Sequence, residues 1–173
     1  MGIQSELGRS DHLLFATSSQ PPAVCELIYR WFSAPGAMVL DPFAGGSVRG
    51  IVAACTGRQY VGVDLRPEQV QANRDQWAAI GPRGMPKPIW HAGDSLQVQQ
   101  LCKGTQADLV FSCPPYASLE RYSDDPADLS TMRYPRFLRT YRAIIKESVA
   151  MLKPDRFACF VVGDVRDTKG LYR

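Results

Sequence analysis

Three short stretches place carboxylates and glycines where an apolar run ends. The first is Leu40-Asp41-Pro42-Phe43-Ala44-Gly45-Gly46-Ser47. Here an acidic residue closes the run, and a small-residue turn then opens a helix. Glycines at such a turn let a ligand approach the backbone closely, and the helix N-terminus attracts a carboxylate or phosphate. The second stretch, Tyr60 to Leu65, ends its apolar run at Asp64, 23 positions after Asp41. An acid at that spacing can accept both ribose hydroxyls of an adenosine. The third, Gly93-Asp94-Ser95, offers a further carboxylate to which an adenine amino group could donate. Neither GxGxxG nor GxxxxGK[ST] occurs, so a pyrophosphate-bridged dinucleotide and a P-loop nucleotide fit poorly. An adenosine ligand without pyrophosphate fits better.

A fourth stretch has different chemistry. Asp108 to Ser112 is an apolar run, and Cys113-Pro114-Pro115-Tyr116 follows it. Two prolines lock φ and remove two N–H donors, leaving carbonyls fixed in direction at the sheet's edge. Tyr116 offers a ring on which a planar base could stack. This arrangement suits an exocyclic amino group donating to the Pro114 carbonyl and to the residue before the prolines. Such contacts would localise the nitrogen lone pair and aim it at an electrophile. The structural alternative is a rigid proline turn with a buried tyrosine. Cys113 opens another chemistry, in which its thiolate attacks C6 of a pyrimidine and activates C5.

The elements that must position these residues alternate strand with helix, which predicts an α/β fold with a mainly parallel sheet. Strands are expected at Met38–Asp41, Tyr60–Asp64, Ile89–His91, Ala107–Ser112 and Phe157–Val162. Pro22–Phe32 carries Val24, Leu27, Ile28 and Trp31 on one stripe and predicts a helix. Further helices are expected at Val48–Cys55, at Pro67–Ala79, and at Phe137–Leu152 with Pro154 as its stop. His91, just before Gly93-Asp94, is expected to pack beside the adenosine site.

The chain of 173 residues, 45% hydrophobic and 21% charged, is one domain's worth, able to bury roughly two-thirds of its unfolded surface. No apolar run approaches the length of about 20 residues that a membrane span requires. The first thirty residues do not resemble a signal peptide. Five cysteines without a CxxC pair argue against a disulfide framework or a zinc knuckle, and favour a reducing, cytoplasmic setting. The net charge of +3 is compatible with an anionic partner. Lysine supplies only five of the 20 basic residues; the rest are arginine, whose planar fork suits phosphates and base edges.

Two regions invite closer attention. Arg133, Arg136, Arg139 and Arg142 recur every three residues, either as a solvated helix face or as a ridge contacting phosphates. Residues 117–133, rich in Asp, Ser and Pro, are expected to form a loop or lid. Asp124 and Asp125 in it would repel phosphate unless paired with arginines. Residues 1–14 are expected to be poorly ordered.

As an ordered set, DPFAGGS, VGVD, GDS and SCPPY resemble the motifs of class I S-adenosyl-L-methionine-dependent methyltransferases. In particular they resemble the DNA amino-methyltransferases, with DPFxGSGT for the cofactor and [DNS]PP[YFW] for the target base. The likeness extends to the phage and prophage-type methylases with an SCPPY…YSDDP stretch. Gln20-Pro21-Pro22 to Pro35-Gly36 is similar to that family's first cofactor motif. The resemblance implies a Rossmann-like core with helices on both faces of the sheet. It implies a methyltransferase acting on an exocyclic amino group of a DNA base, cytosine N4 or adenine N6. By position, Asp41, Pro42, Phe43, Ala44, Gly45 and Gly46 would serve the methionine end of the cofactor. Asp64 and Leu65 would serve its ribose, and Asp94 and Ser95 its adenine, with Ser112 nearby. Cys113, Pro114, Pro115 and Tyr116 would hold the base, which must be flipped out of a duplex to arrive there.

Three departures from the family pattern stand out. Ser47 replaces a glycine, which is tolerable if its φ stays negative. Cys113 replaces Asp, Asn or Ser, and a neutral thiol is a poor acceptor, so the Pro114 carbonyl would carry more of the activation. The class has seven strands, and only five are found before Arg173, so a truncated chain or one completed by a partner or oligomer is expected. C5 methylation through Cys113, RNA methylation, and a non-catalytic cofactor-binding subunit of a methylase complex remain the alternatives.

Overall fold

A computed structural model describes residues 21–115 and 121–162. Five strands form one parallel sheet in the order β3-β2-β1-β4-β5: β1 (Met38–Asp41), β2 (Gln59–Asp64), β3 (Ile89–Ala92), β4 (Ala107–Ser112) and β5 (Leu152–Phe160). The helices are α1 (Pro22–Phe32), α2 (Val48–Cys55), α3 (Pro67–Ile80), the single turn α4 (Val98–Leu101) and α5 (Tyr134–Val149).

The expected parallel sheet with helices on both faces follows from the strand residues. Parallel strands covered on both sides read as continuous apolar runs whose neighbours point to opposite faces. Val39, Leu109 and Phe111 face one core with Tyr29 of α1, Ala53 of α2 and Trp77 of α3. Leu40, Val61, Val63 and Val110 face the other, with Val98 of α4. A smaller cluster joins Phe137 and Ile144 of α5 to Leu129, with Phe43 packed against it.

Chain order reverses between β1 and β4, which are nevertheless neighbours. Connections therefore leave these two strands in opposite directions and open a crevice beyond their carboxyl ends, where ligands of open α/β sheets bind. Asp41 and Ser112 are the last residues of those two strands.

The sequence expectation fails at α5 and at β5, which runs Leu152–Phe160 rather than Phe157–Val162. α5 runs from Tyr134 to Val149 rather than from Phe137 to Leu152. Pro135 opens it, since a proline in the first turn needs no intrahelical N–H partner. Pro154, expected to follow the helix, lies inside β5 instead. It is accommodated because the pairing skips from Ala107 with Leu152 to Leu109 with Phe157, leaving 153–156 as a bulge. Within the bulge Asp155 takes a φ of 55°, and Lys153 and Arg156 both reach Asp108. No helix among the described residues is long and apolar enough to cross a membrane.

Candidate active site

The corner after β1 is built around Asp41, which is fully buried. Its Oδ2 accepts from Arg49 Nε at 2.6 Å and from the Tyr60 hydroxyl at 2.7 Å. Its Oδ1 accepts from the Ser112 hydroxyl and from the Phe43 N–H at 3.1 Å. The same Ser112 oxygen accepts from that Phe43 N–H at 3.1 Å. Arg49, only 4% exposed, also donates to the carbonyls of Phe43 and Ala44. Burial disfavours its charge, but the adjacent Asp41 more than compensates, so the guanidinium is held firmly in its cationic form. Burial first, then the Asp41 carboxylate, push the Tyr60 phenol up, so it remains a hydroxyl donor. Asp41, Ser112 and Arg49 together bond the backbone of residues 43 and 44 and so hold the path of the turn.

Two glycines make that path possible. Gly45 adopts a φ of 50°, a left-handed conformation that side chains rarely take. Gly62 lies under the turn, where an added Cβ would meet Ala44 Cβ at 2.9 Å. Ala44 N–H consequently bonds the Val63 carbonyl at 2.9 Å, tying the turn to β2. Ser47 keeps a negative φ of −73°, as a residue replacing glycine there requires.

Asp64 ends β2 and faces the crevice, its side chain 14% exposed. One oxygen accepts the Gly45 N–H and the other the Arg66 N–H, both at 2.9 Å. Each oxygen keeps a free lone-pair direction, as a carboxylate that is to receive ligand hydroxyls must. Burial raises its pKa above 3.8, opposed by those N–H bonds and by Arg66. Asp94 caps the 3₁₀ turn Ser95–Gln97 through the Leu96 N–H at 2.9 Å, and the Ser95 hydroxyl donates to the Pro42 carbonyl.

These groups surround one cavity of about 440 Å³, within the range of small-molecule sites. Pro42, Phe43, Gly45, Gly46, Asp64 and Leu65 line it, as do Asp94, Ser95, Cys113 and Pro115. Asp41, Ala44, Ser112 and Pro114 are buried and not on its wall. Tyr116 lies outside the described residues. His91 is also off the wall; burial and Arg74 hold its pKa low.

Sequence reading missed Arg49, Val63 and Arg66 on the wall. An arginine in the first turn of a helix, eight residues past a strand-end aspartate, was the available signal for Arg49. The segment read as a loop or lid contributes Arg121, Tyr122, Ala127, Asp128 and Leu129. Asp128 caps the 3₁₀ turn Leu129–Thr131 and accepts from the Ser123 hydroxyl at 2.8 Å. Asp124 pairs with Arg121, whereas Asp125 bonds its own turn at the Ala127 N–H.

Comparison with known proteins finds similarity to DNA methylases in sequence and to a Rossmann-like enzyme in fold. The DNA methylase family N6_N4_Mtase matches residues 4–75. The DNA adenine methyltransferase YhdJ of Escherichia coli K12 is 37% identical over 54 residues, 31% of this chain and 18% of that protein. The type II methyltransferase M.XycI of Xanthomonas campestris pv. cyanopsidis is 39% identical over 56 residues, 32% of this chain and 19% of that protein. The matched segments thus span less than a fifth of either relative. TrmN from Thermus thermophilus superposes with a TM-score of 0.64 at 19% identity, over 83% of this chain and 38% of its own. Residues 4–75 are therefore similar to DNA methylases, and the chain shares the Rossmann-like fold of TrmN.

Proposed function

We propose that this chain binds S-adenosyl-L-methionine and methylates the exocyclic amino group of a DNA base, cytosine N4 or adenine N6. One observation carries the reading: the same cavity is walled by the acids and glycine turn after β1 to β3 and by Cys113-Pro115 after β4. A donor held by the first set and a base held by the second would share one space. The matches to DNA methylases support the DNA amino group over the C5 and RNA alternatives.

The residues fit the cofactor by the chemistry of their donors and acceptors. Asp64 has lone pairs to spare for two ribose hydroxyls, and Asp94 sits at the next strand's end for the adenine amino group. The turn at Gly45, with no side chain and a fixed left-handed φ, lets the methionine end lie against backbone. Bound S-adenosyl-L-methionine supplies an electrophilic methyl group on a sulfonium. Arg49 and Asp41 hold the turn that shapes this end, acting as positioning residues. At the base end, carbonyls in the Cys113-Pro114-Pro115 turn would accept the amino hydrogens and orient the nitrogen lone pair. Release of a proton from the methylated amine to water needs no strong base, so the site requires no histidine.

The test is methyl transfer from labelled S-adenosyl-L-methionine to unmethylated DNA and to RNA, read by nucleoside mass spectrometry. N4-methylcytosine or N6-methyladenine in DNA is expected. 5-Methylcytosine, or product in RNA alone, would overturn the assignment.

A further inference from the structure

We infer that the exposed side of α5 is a docking ridge for the phosphate backbone of the DNA substrate; this rests on the function proposed above. Arg133, the N-cap residue, and Arg136, Arg139, Arg142 and Lys146 are all exposed. At 1.5 Å rise per residue they cover about 20 Å, the length over which one strand presents about six phosphates. Phe137, Ile144 and Ser148 are buried on the opposite side, so the strip winds within the solvent-facing half of the helix.

A merely solvated face does not account for this strip. Like charges three residues apart destabilise a helix by a few tenths of a kcal/mol per pair. Cations at a helix N-terminus also oppose its dipole, and the first turn of α5 holds no acid. Some exposed arginines elsewhere are neutralised locally, Arg30 by Glu26, Arg121 by Asp124 and Arg156 by Asp108. The side chains of Arg133, Arg139, Arg142 and Lys146 make no ion pair or hydrogen bond among the described residues. Arg136 reaches only the Pro126 carbonyl at 3.2 Å. Glu147, the helix's one acid, bonds Gln99 instead.

Position ties the strip to the site. Arg133 follows the cavity-lining Leu129 by four residues, and Arg136 grips the carbonyl next to the cavity-lining Ala127. The inner side of α5 presents Tyr141, whose ring packs on Phe43 of the cavity wall at 5.9 Å. A strand lying along the ridge would therefore run past the rim of the cavity that receives its base.

The test compares the intact chain with an Arg133→Gln/Arg139→Gln/Arg142→Gln variant and with a control, Arg30→Gln/Arg83→Gln/Lys87→Gln. Each is titrated with a fluorescent DNA duplex across a salt series, and separately with S-adenosyl-L-methionine. The ridge variant is expected to bind duplex roughly 100-fold more weakly at about 0.1 M salt. The slope of log K against log salt should fall by about 2.7, some 0.9 for each phosphate that is no longer neutralised. Cofactor affinity should be unchanged, showing an intact fold, and the control should keep most of its slope. Equal losses in both variants, or an unchanged slope in the ridge variant, would overturn the ridge while leaving the methyltransferase reading standing. A slope change seen with RNA and not with DNA would overturn the DNA assignment. Ridge-dependent DNA binding with no methyl transfer would sustain the ridge and count against the catalytic reading alone.

Discussion

Asp41 and Asp64 end adjacent parallel strands, with Asp41 in register with Gly62 two residues short of Asp64. Both follow apolar runs and both precede a turn into a helix. Asp41 is sealed from solvent and saturated by Arg49, Tyr60, Ser112 and a backbone N–H. Asp64 reaches the cavity with two backbone N–H groups hydrogen-bonded to it and the Arg66 guanidinium 3.9 Å away. The difference separates two duties that a motif alignment runs together. One aspartate builds the wall, and the other is left with acceptor capacity for what the wall encloses. Ser112 and Cys113 repeat the division one residue apart, the serine bonding Asp41 and the cysteine lining the cavity.

The sharpest way to break this contrast is Asp41→Ala. It leaves Arg49 buried without its counter-charge and should cost about 3–5 kcal/mol of stability in urea unfolding. A loss under about 1 kcal/mol would mean that Asp41 does not organise the corner. Asp64→Ala should do the reverse, lowering stability by about 1 kcal/mol or less. It should weaken S-adenosyl-L-methionine binding roughly 10–100-fold in calorimetry, because hydrogen bonds to a charged group contribute about 1.5–3 kcal/mol each. If both variants unfold alike, the two acids share one role.

Acidity sharpens the distinction further. Burial raises the Asp64 pKa, so its carboxylate protonates above 3.8 in the free protein. In the proposed complex ribose hydroxyls would donate to the charged form, so binding should release a proton. Cofactor affinity should thus fall as pH drops through the raised Asp64 pKa, and Asp64→Asn should flatten that profile. A profile unchanged in Asp64→Asn would assign the titration to another group. The smallest effect is expected of Cys113→Ser, with methyl transfer within a few-fold of the parent. Abolished transfer would instead assign Cys113 the covalent role of a C5 enzyme.

Much of the architecture was legible in the residues because local chemistry and tertiary context agree there. Buried parallel strands must be apolar throughout, and each ends where the chain turns out of the sheet, so β1, β2 and β4 were readable, the first two with their terminal acids. Pro154 misled because a proline ends helices by a local rule, while a bulge beside Asp108 gave it an unpaired place in β5. The cavity residues after β1 to β4 were likewise readable as strand-end positions. Arg66 was not, since an arginine in a turn carries no mark of which way it points, and Arg49 was marked only by its place at a helix start eight residues past Asp41.

The order of acids and glycines along the chain, and the alternation of strands and helices around them, are properties of the sequence alone. They depend on near neighbours and on the two periodicities of the backbone. Which aspartate faces ligand and which faces inward depends on groups 8, 19 and 71 residues from Asp41 converging on one carboxylate. Only the folded sheet, with β1 and β4 set side by side, brings those groups within reach.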